Sequence, residues 1–200
     1  MPSLVGSEMC IRDRRIISGK FKGKPVSFLK SKITRPLKDT VKENIFNVIS
    51  HSNLIDINLN NANVLDIYSG VGSFGLECIS RGSAKITFVE KDKDALKILK
   101  KNITSISSLD NANIIAEDIF EFISKKITLK FDIIFLDPPF MDFKFHEIIK
   151  LIHSKKIYKK QHIIIIHRET NTKENFDDNL NTIVIKKYGR SKIIFGKFLL

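Results

Sequence analysis

Residues 64–75 read VLDIYSGVGSFG. An apolar run, typical of a buried strand, ends at Asp66, a glycine-rich turn follows, and a helix is predicted to begin near Ser73. Glycine is needed where the backbone passes close to a ligand or adopts a positive φ. The stretch therefore predicts a strand, a ligand-binding turn and a helix, which is the opening unit of an α/β sheet.

Strands and helices alternate after this unit. The predicted strands cover residues 63–67, 85–90, 113–116, 131–136 and 162–167, and the predicted helices cover residues 73–81, 92–106, 119–126 and 143–153. Continuous apolar strands are typical of parallel sheets buried on both faces. Residues 182–188 and 192–199 leave no room for a helix between them and predict an antiparallel hairpin. The prediction is an α/β fold, a Rossmann-like, mostly parallel seven-stranded sheet ending in an antiparallel hairpin, as in class I methyltransferases.

The chain is predicted to have three parts. Residues 1–13 show no periodicity and are interpreted as a non-native or disordered tail. Residues 14–52 form an extension with a hairpin around residues 19–23, a basic extended segment ending at Pro36, and an amphipathic helix over residues 38–50. Residues 53–200 form the main domain.

The composition limits the function classes. The chain has 200 residues with only two cysteines, which excludes a disulfide framework and a cysteine-rich zinc module. It has no apolar run long enough for a membrane span and no secretion signal, so we expect a monomeric cytoplasmic protein with no membrane partner. The formal net charge of +12 favours a polyanionic partner such as RNA or DNA, although a lysine-rich composition also arises without function.

Of the carboxylates at the predicted strand ends, Asp66 discriminates between cofactors, whereas Glu90 supports a nucleoside of either class. Gly70, Gly72 and Gly75 satisfy the dinucleotide pattern G-x-G-x-x-G, a weak match by itself. The negative charge of Asp66 would repel a pyrophosphate and attract the ammonium and sulfonium groups of S-adenosylmethionine. Glu90 is expected to accept hydrogen bonds from ribose hydroxyls. The predicted cofactor-binding residues are Asp66, Tyr68, Gly70, Gly72, Glu90, Lys91, Asp118 and Ile119.

Asp118 has two possible roles in this pattern. It is placed to face an adenine edge, and it also precedes a predicted helix, where an aspartate commonly caps the first turn. Both roles are compatible with one side chain.

The second candidate site reads FDIIFLDPPF, residues 131–140. Asp137 and the Pro138 carbonyl can together accept the two hydrogens of an exocyclic amine, and Phe140 offers a face on which a base can stack. Pro138 and Pro139 stiffen the turn. Asp137, Pro138, Pro139 and Phe140 are therefore the predicted catalytic residues, the alternative being an ordinary strand-ending turn.

Other chemistries fit less well. The five histidines show no metal-ligand spacing, so no metal site is predicted. Covalent catalysis would need a cysteine in the cleft, whereas Cys78 lies in a predicted core helix and Cys10 in the tail.

Several motifs resemble the bacterial 16S ribosomal RNA guanine-N2 methyltransferase D family. The motifs are RIISGKFKGK at residues 15–24, Arg35-Pro36, DTVKENIF at residues 39–46, LECISRGSA at residues 76–84, and DPPF at residues 137–140. The resemblance implies S-adenosylmethionine-dependent methylation of a guanine N2 amine in 16S rRNA, with rRNA or a small-subunit assembly intermediate as partner. Lys20, Lys22, Lys24, Arg35 and Lys42 are the predicted RNA-binding residues, the alternative being a solvated charged face. The chain departs from the family pattern at Leu37, Thr40 and Lys42.

Three other functions are open. A DNA adenine-N6 methyltransferase uses a similar loop but usually carries an additional recognition domain. A nucleotide-dependent dehydrogenase is favoured only by the glycine pattern. A non-catalytic RNA-binding assembly factor would not need Asp66, Glu90 and Asp137 together.

Overall fold

The computed structural model describes residues 15–29, 37–107, 109–139, 141–142, 144–172, 174, 176 and 180–199. The predictions for the tail, for the basic segment with Arg35, and for Phe140 lie outside these residues.

A seven-stranded sheet forms the centre of the protein. Its strands are β1 (Asn63–Ile67), β2 (Lys85–Val89), β3 (Ala112–Ile115), β4 (Phe131–Leu136), β5 (Tyr158–Glu169), β6 (Asn181–Tyr188) and β7 (Ser191–Lys197). Their order is β3-β2-β1-β4-β5-β7-β6. The pairs formed among β1 to β5 are all parallel, and β7 is antiparallel to both β5 and β6.

Helices cover both faces of this sheet. They are α1 (Asp39–His51), α2 (Ser73–Ser80), α3 (Lys93–Ser105), α4 (Ile119–Ser124) and α5 (Phe145–Lys155), with a 3-10 helix at Leu109–Asn111. Side chains alternate along each strand, so Ile163 and Ile165 of β5 pack in the core layer of α1 to α3, whereas Ile164 and Ile166 pack in that of α4 and α5. None of the helices in the described ranges is long and apolar enough to cross a bilayer.

The predicted architecture is confirmed, with shifts at element ends. β1 and β4 have the predicted bounds because both are short apolar runs between polar residues. β5 begins at Tyr158 instead of residue 162. Tyr158 pairs with Phe131 of β4 before the register shifts, so the polar residues that follow it belong to the strand. The predicted N-terminal hairpin is reduced to one bridge between Arg15 and Pro25.

The N-terminal hairpin is anchored to α2 through one buried carboxylate. Ile17 N and Ser18 N donate to Glu77 Oε2 and Oε1 at 2.7 and 2.9 Å, and Glu77 is 0% exposed. Lys20 N donates to the Ser80 carbonyl at 2.7 Å. The hairpin turn therefore lies beside the C-terminal end of α2.

The strand order predicts a cleft at the carboxyl edge of the sheet. β2 and β4 lie on opposite sides of β1, so the chain after β1 and the chain after β4 leave the sheet in different directions. In open parallel sheets a ligand site forms at such a switch point, outside the carboxyl ends of the strands.

Candidate active site

The turn after β1 adopts backbone angles that favour glycine. Gly70 and Gly72 have φ values of +53° and +86°, and α2 begins directly after Gly72. A Cβ at Gly72 would lie 2.4 Å from Leu99 Cδ1, so a side chain there would have to displace Leu99 as well as adopt a strained positive φ. A Cβ at Gly70 would have no described atom within 4 Å. The turn is thus tightly packed at Gly72 and open at Gly70.

Tyr68 links this turn to the loop that follows β4. It has φ of +59°, uncommon for a residue with a side chain, and its hydroxyl donates to Asp142 Oδ2 at 2.8 Å. Burial and this hydrogen bond raise the pKa of the Tyr68 hydroxyl. Asp137 N also donates to the Ile67 carbonyl at 3.3 Å. The two loops predicted to hold cofactor and substrate are therefore in contact.

Asp66 holds the start of α2, the helix that follows the glycine turn. It is 1% exposed, and its Oδ2 accepts a hydrogen bond from Gly75 N at 3.0 Å. The carboxyl group lies between β1 and α2, and direct contact of Asp66 with a cationic ligand stays a prediction. Burial is the main cause that raises the pKa of Asp66, the Gly75 hydrogen bond lowers it, and the charges of Asp137 and Glu90 raise it further.

Glu90 lies where β2 ends, beside the glycine turn. Its Oε2 accepts from Gly70 N at 2.8 Å, and its Oε1 accepts from Lys91 N and Asp92 N at 2.9 and 2.8 Å. The carboxylate thus joins the ends of β1 and β2. Its half-buried position keeps it at the rim of the cleft.

The ends of β2 and β3 are joined by an ion pair. Lys91 Nζ lies 3.0 Å from Asp118 Oδ2, and Asp118 Oδ1 accepts from Phe120 N at 2.9 Å. Asp118 is therefore the N-cap of α4, as one of its two predicted roles requires, and Ile119 is the first residue of that helix. Burial raises the pKa of Asp118, but the hydrogen bonds from Phe120 and Lys91 outweigh it and lower the pKa.

Asp137 is held by a histidine that the sequence analysis did not select. Asp137 Oδ1 lies 2.8 Å from Nδ1 of His167, which is on β5. Since an ionised carboxylate only accepts hydrogen bonds, Nδ1 carries the hydrogen. Burial lowers the pKa of His167, but the charge and hydrogen bond of Asp137 outweigh it and raise the pKa above its usual range.

Arg168, the next residue, contacts the same loop. Its Nη1 donates to the Pro139 carbonyl at 3.1 Å, and its side chain is 1% exposed. It forms an ion pair with Glu174, which also pairs with Lys192, and its guanidinium lies 4.4 Å from the Phe145 ring centroid. Pro138 is buried and Pro139 is exposed.

Comparison with known proteins identifies the family. Residues 14–197 match the family described as Conserved hypothetical protein 95. The chain belongs to this family.

Relatives in this family carry methyltransferase names. The "Ribosomal RNA small subunit methyltransferase D" of Buchnera aphidicola subsp. Baizongia pistaciae is 32% identical over 180 residues, which cover 90% of this chain and 88% of that protein. The Escherichia coli protein of the same name is 30% identical over 155 residues, or 78% of this chain and 74% of that protein. These matches confirm the resemblance found in the sequence.

A solved structure has the same fold. "Putative methyltransferase yhhF from Escherichia coli" superposes with a TM-score of 0.80 at 25% identity, covering 94% of this chain and 99% of that chain. The predicted class I methyltransferase fold is therefore confirmed.

The three predicted RNA-binding lysines of the N-terminal hairpin lie on the protein surface. Lys20, Lys22 and Lys24 are exposed, and the ammonium groups of Lys20 and Lys24 lie 5.3 and 5.2 Å from the Phe21 ring centroid. These lysines lie near the C-terminal ends of α2 and α3, since Lys20 N bonds to Ser80 and Lys24 Nζ to Ser105. At 1.5 Å per residue, α2 separates the Ser80 contact from the glycine turn by about 12 Å.

The prediction that Lys42 binds RNA is corrected. Its side chain is 1% exposed, and its Nζ donates to the Arg15 carbonyl at 2.8 Å and to Ser73 Oγ at 3.4 Å. It also lies 3.9 Å from Glu77 Oε2. A lysine on an amphipathic helix is usually solvated, but here its partners come from two distant segments, the N-terminal hairpin and α2, which a local pattern does not show.

The candidate residues missed from the sequence share one location. Asp142, His167 and Arg168 lie at the same carboxyl edge of the sheet as the predicted residues. His167 and Arg168 are the first charged residues after four isoleucines of β5, and this change from apolar to charged at a strand end was an available signal.

Replacing Asp66 with asparagine is expected to make stability less dependent on pH. Because the pKa of Asp66 is higher in the folded than in the unfolded chain, its contribution is most favourable below its unfolded pKa and becomes less favourable as pH rises towards the folded value. Asparagine keeps an acceptor for Gly75 N and cannot ionise. In urea unfolding from acid to neutral pH, the free energy of unfolding of Asp66→Asn should rise relative to that of the wild type. The rise should be about 1.4 kcal/mol for each unit by which folding raises the pKa of Asp66. Parallel stability curves would contradict this account.

Proposed function

We propose that this chain is an S-adenosylmethionine-dependent methyltransferase that methylates the exocyclic N2 amine of a guanine in 16S ribosomal RNA. The main support is the contact between the glycine turn after β1 and the Asp137-Pro138-Pro139 loop after β4, through Tyr68–Asp142 and Asp137–Ile67. The two loops lie side by side at the switch point of the sheet, which supports assigning the first to the cofactor and the second to the amine.

Two features of the glycine turn fit this cofactor. Ser69 Oγ is buried and has no hydrogen-bond partner among the described residues, and Gly70 opens onto space. We assign the methionine end to the backbone of Gly70 and Gly72, with Tyr68 beside it. Asp66 acts from beneath by holding Gly75 N.

The nucleoside end is assigned to the neighbouring strand ends. Glu90 would accept a ribose hydroxyl in addition to its backbone contacts, because a carboxylate has more lone pairs than its present partners use. Lys91, Asp118 and Ile119 would line the adenine side, where Asp118 keeps its role as helix cap.

The proposed reaction needs a base amine to become a better nucleophile. The bound cofactor supplies an electrophilic methyl group on a sulfonium. Asp137 and the Pro138 carbonyl accept the two amine hydrogens, which draws the nitrogen lone pair out of the ring. Holding the amine in line contributes up to about 7–11 kcal/mol, and Asp137 then takes the released proton. Phe140 would stack on the base.

The RNA substrate is supported by two observations. Relatives covering most of the chain are named for ribosomal RNA, and the chain carries a formal charge of +12. We assign phosphate contacts to Lys20, Lys22, Lys24 and Arg35. Residues 14–52 would form the RNA-facing extension and residues 53–200 the methyltransferase domain.

The decisive experiment follows the labelled methyl group. The purified chain is incubated with S-[methyl-³H]adenosylmethionine and, separately, with naked 16S rRNA, small-subunit particles lacking native methylation, or duplex DNA. The expected result is label in RNA that elutes as N2-methylguanosine after nuclease digestion. Label in DNA as N6-methyladenine would instead identify an adenine methyltransferase. RNA binding without transfer to any substrate would favour a non-catalytic assembly factor.

Reversing the charge of Lys20, Lys22 and Lys24 to glutamate is expected to weaken RNA binding and reduce its salt dependence. Each lost phosphate contact lowers the slope of log Kd against log salt by about 0.7–0.9, so the triple variant should lose about 2–3 from the slope. Filter binding across a salt series measures this slope.

The matched control for the lysine variant has the same change of charge elsewhere. Lys126, Lys130 and Lys155 are exposed near α4 and α5, on the opposite layer of the sheet. Their reversal should leave the slope close to the wild-type value. An equal loss in both triple variants would show that net charge, and not the hairpin, controls binding.

A further inference from the structure

The loop after β4 is held from both faces of the sheet by two consecutive residues of β5. Leu136 pairs with Ile166 in parallel register, so the residues that follow leave the sheet side by side. Successive side chains of a strand point to opposite faces. His167 accordingly reaches Asp137 on the face of α2, whereas Arg168 packs on Phe145 of α5 and reaches the Pro139 carbonyl.

We propose that His167 and Arg168 are the positioning residues of the amine-binding loop, His167 by orienting the Asp137 carboxylate and Arg168 by fixing the Pro139 carbonyl. The proposal rests on the proposed methyl transfer. We call these two residues and their two contacts the β5 clamp.

His167 decides which oxygen of Asp137 meets the substrate. The imidazole takes Oδ1 at 2.8 Å, so Oδ2 is the oxygen directed to the amine. His167 is 7% exposed, and this burial restricts its ring and therefore the carboxylate. A misplacement of about 1 Å at a reacting group can cost about 10²-fold in rate.

Arg168 acts on the other end of the diproline turn. Its guanidinium is restrained by Glu174 and by the Phe145 ring, and both contacts are buried. With residues 137 and 139 both held, the intervening Pro138 carbonyl has a set direction.

The charge state of His167 should affect the reaction. Among the described residues, the charged groups around it include Asp137 from the loop after β4 and Arg168 beside it, and its register partner on β7 is the uncharged Ile193. A protonated imidazole neutralises part of the Asp137 charge, whereas a neutral imidazole leaves that charge to stabilise the amine as it becomes cationic. The rate should therefore rise with pH as His167 loses its proton.

The first test measures kinetics. His167→Ala is expected to lower kcat by about 10²-fold without changing KM for RNA. His167→Asn places an N–H group near the Nδ1 position but does not titrate, so it should recover most of the rate and lose the pH-dependent rise. His162→Asn is the matched control, because His162 is a buried histidine of β5 that bonds to Phe198 N, away from the loop. Wild-type kcat in His167→Ala, or an unchanged pH profile in His167→Asn, would overturn the role of His167.

The second test does not depend on activity. The pKa of His167, followed by NMR of its ring, should lie above the usual range in the wild type and fall in Asp137→Ala. If the pKa of His167 falls in Asp137→Ala but the wild-type protein methylates no RNA, the clamp contact exists and the proposed function is wrong. If RNA is methylated and the pKa does not change, the clamp is wrong and the proposed function stands.

The role of Arg168 is tested by comparing a variant of Arg168 with a variant of its ion-pair partner, Glu174. Arg168→Met removes both the Glu174 and the Pro139 contacts, whereas Glu174→Gln weakens the ion pair and keeps the donor to Pro139. We expect kcat to fall at least about tenfold more in Arg168→Met than in Glu174→Gln. Equal losses in the two variants would show that Arg168 acts only through stability, and would overturn its positioning role.

Discussion

Replacing Asp137 with alanine is expected to lower kcat for methyl transfer by about 10²–10⁴-fold. Asp137 lies at the end of β4 beside the glycine turn. It is the carboxylate that we propose accepts a hydrogen of the substrate amine. The cofactor is assigned to other residues, so its dissociation constant should change little. Single-turnover transfer of a labelled methyl group measures the rate, and calorimetry measures cofactor affinity.

Asp137→Asn separates the charge of Asp137 from its shape. Asparagine keeps one oxygen acceptor of similar position but cannot take the proton released by the amine. Its rate should therefore lie between those of the wild type and Asp137→Ala. A rate equal to that of the wild type would show that hydrogen bonding, without charge, is sufficient.

Asp132→Ala is the control for stability effects at this strand. Asp132 is on the same strand, β4, but at its opposite end, where it accepts from Asn63 N and Lys159 Nζ at 2.7 Å. Its replacement should reduce stability and leave the transfer rate of the folded protein unchanged. Near-wild-type transfer by Asp137→Ala, with Asp132→Ala behaving as expected, would contradict the role of Asp137.

Replacing Glu77 with alanine is expected to lower the free energy of unfolding by about 3–5 kcal/mol. The buried carboxylate accepts from Ile17 N, Ser18 N and Arg81 Nε, and it lies near the buried ammonium of Lys42. Its removal leaves two backbone donors without their acceptor and takes one nearby anion away from the buried Lys42 ammonium, which keeps its contact with the Arg15 carbonyl. Urea unfolding measures the loss, and faster tryptic cleavage near Arg15 and Lys20 should show release of the hairpin.

Glu43→Ala is the control for Glu77→Ala. Glu43 is exposed on α1, so its loss should change stability by less than about 0.5 kcal/mol. A similar small change in Glu77→Ala would contradict the anchoring role of the buried carboxylate.

The sheet was predictable because its signals are local. β1 and β4 are short apolar runs with polar ends, and the hairpin of β6 and β7 is separated by only Gly189 and Arg190. The mostly parallel sheet with an antiparallel end followed from this alternation and from general rules of α/β sheets. The polar beginning of β5 was missed because pairing with Phe131, and not hydrophobicity, makes it a strand.

The candidate site was only partly predictable because its side-chain partners are distant in sequence. Asp137 and the glycine turn stand out as motifs, but the His167–Asp137 contact joins residues 30 positions apart and depends on the register of β4 with β5. The sequence shows only that Lys42 and Asp66 are charged residues. The packing of α1 and α2 shows that both are buried. Sequence shows which groups are charged, whereas the fold decides which of them meet solvent.

The buried ion pairs affect how the whole molecule meets a polyanion. Lys42 lies against Glu77, and Arg168 and Lys192 lie against Glu174, so the interior cations have interior anions beside them. The positive excess of the chain therefore resides mainly at the surface, where it generates a long-range field. Such a field raises the rate of diffusional encounter with nucleic acid before any contact forms. Capture of the substrate would then begin as electrostatic steering over the whole surface.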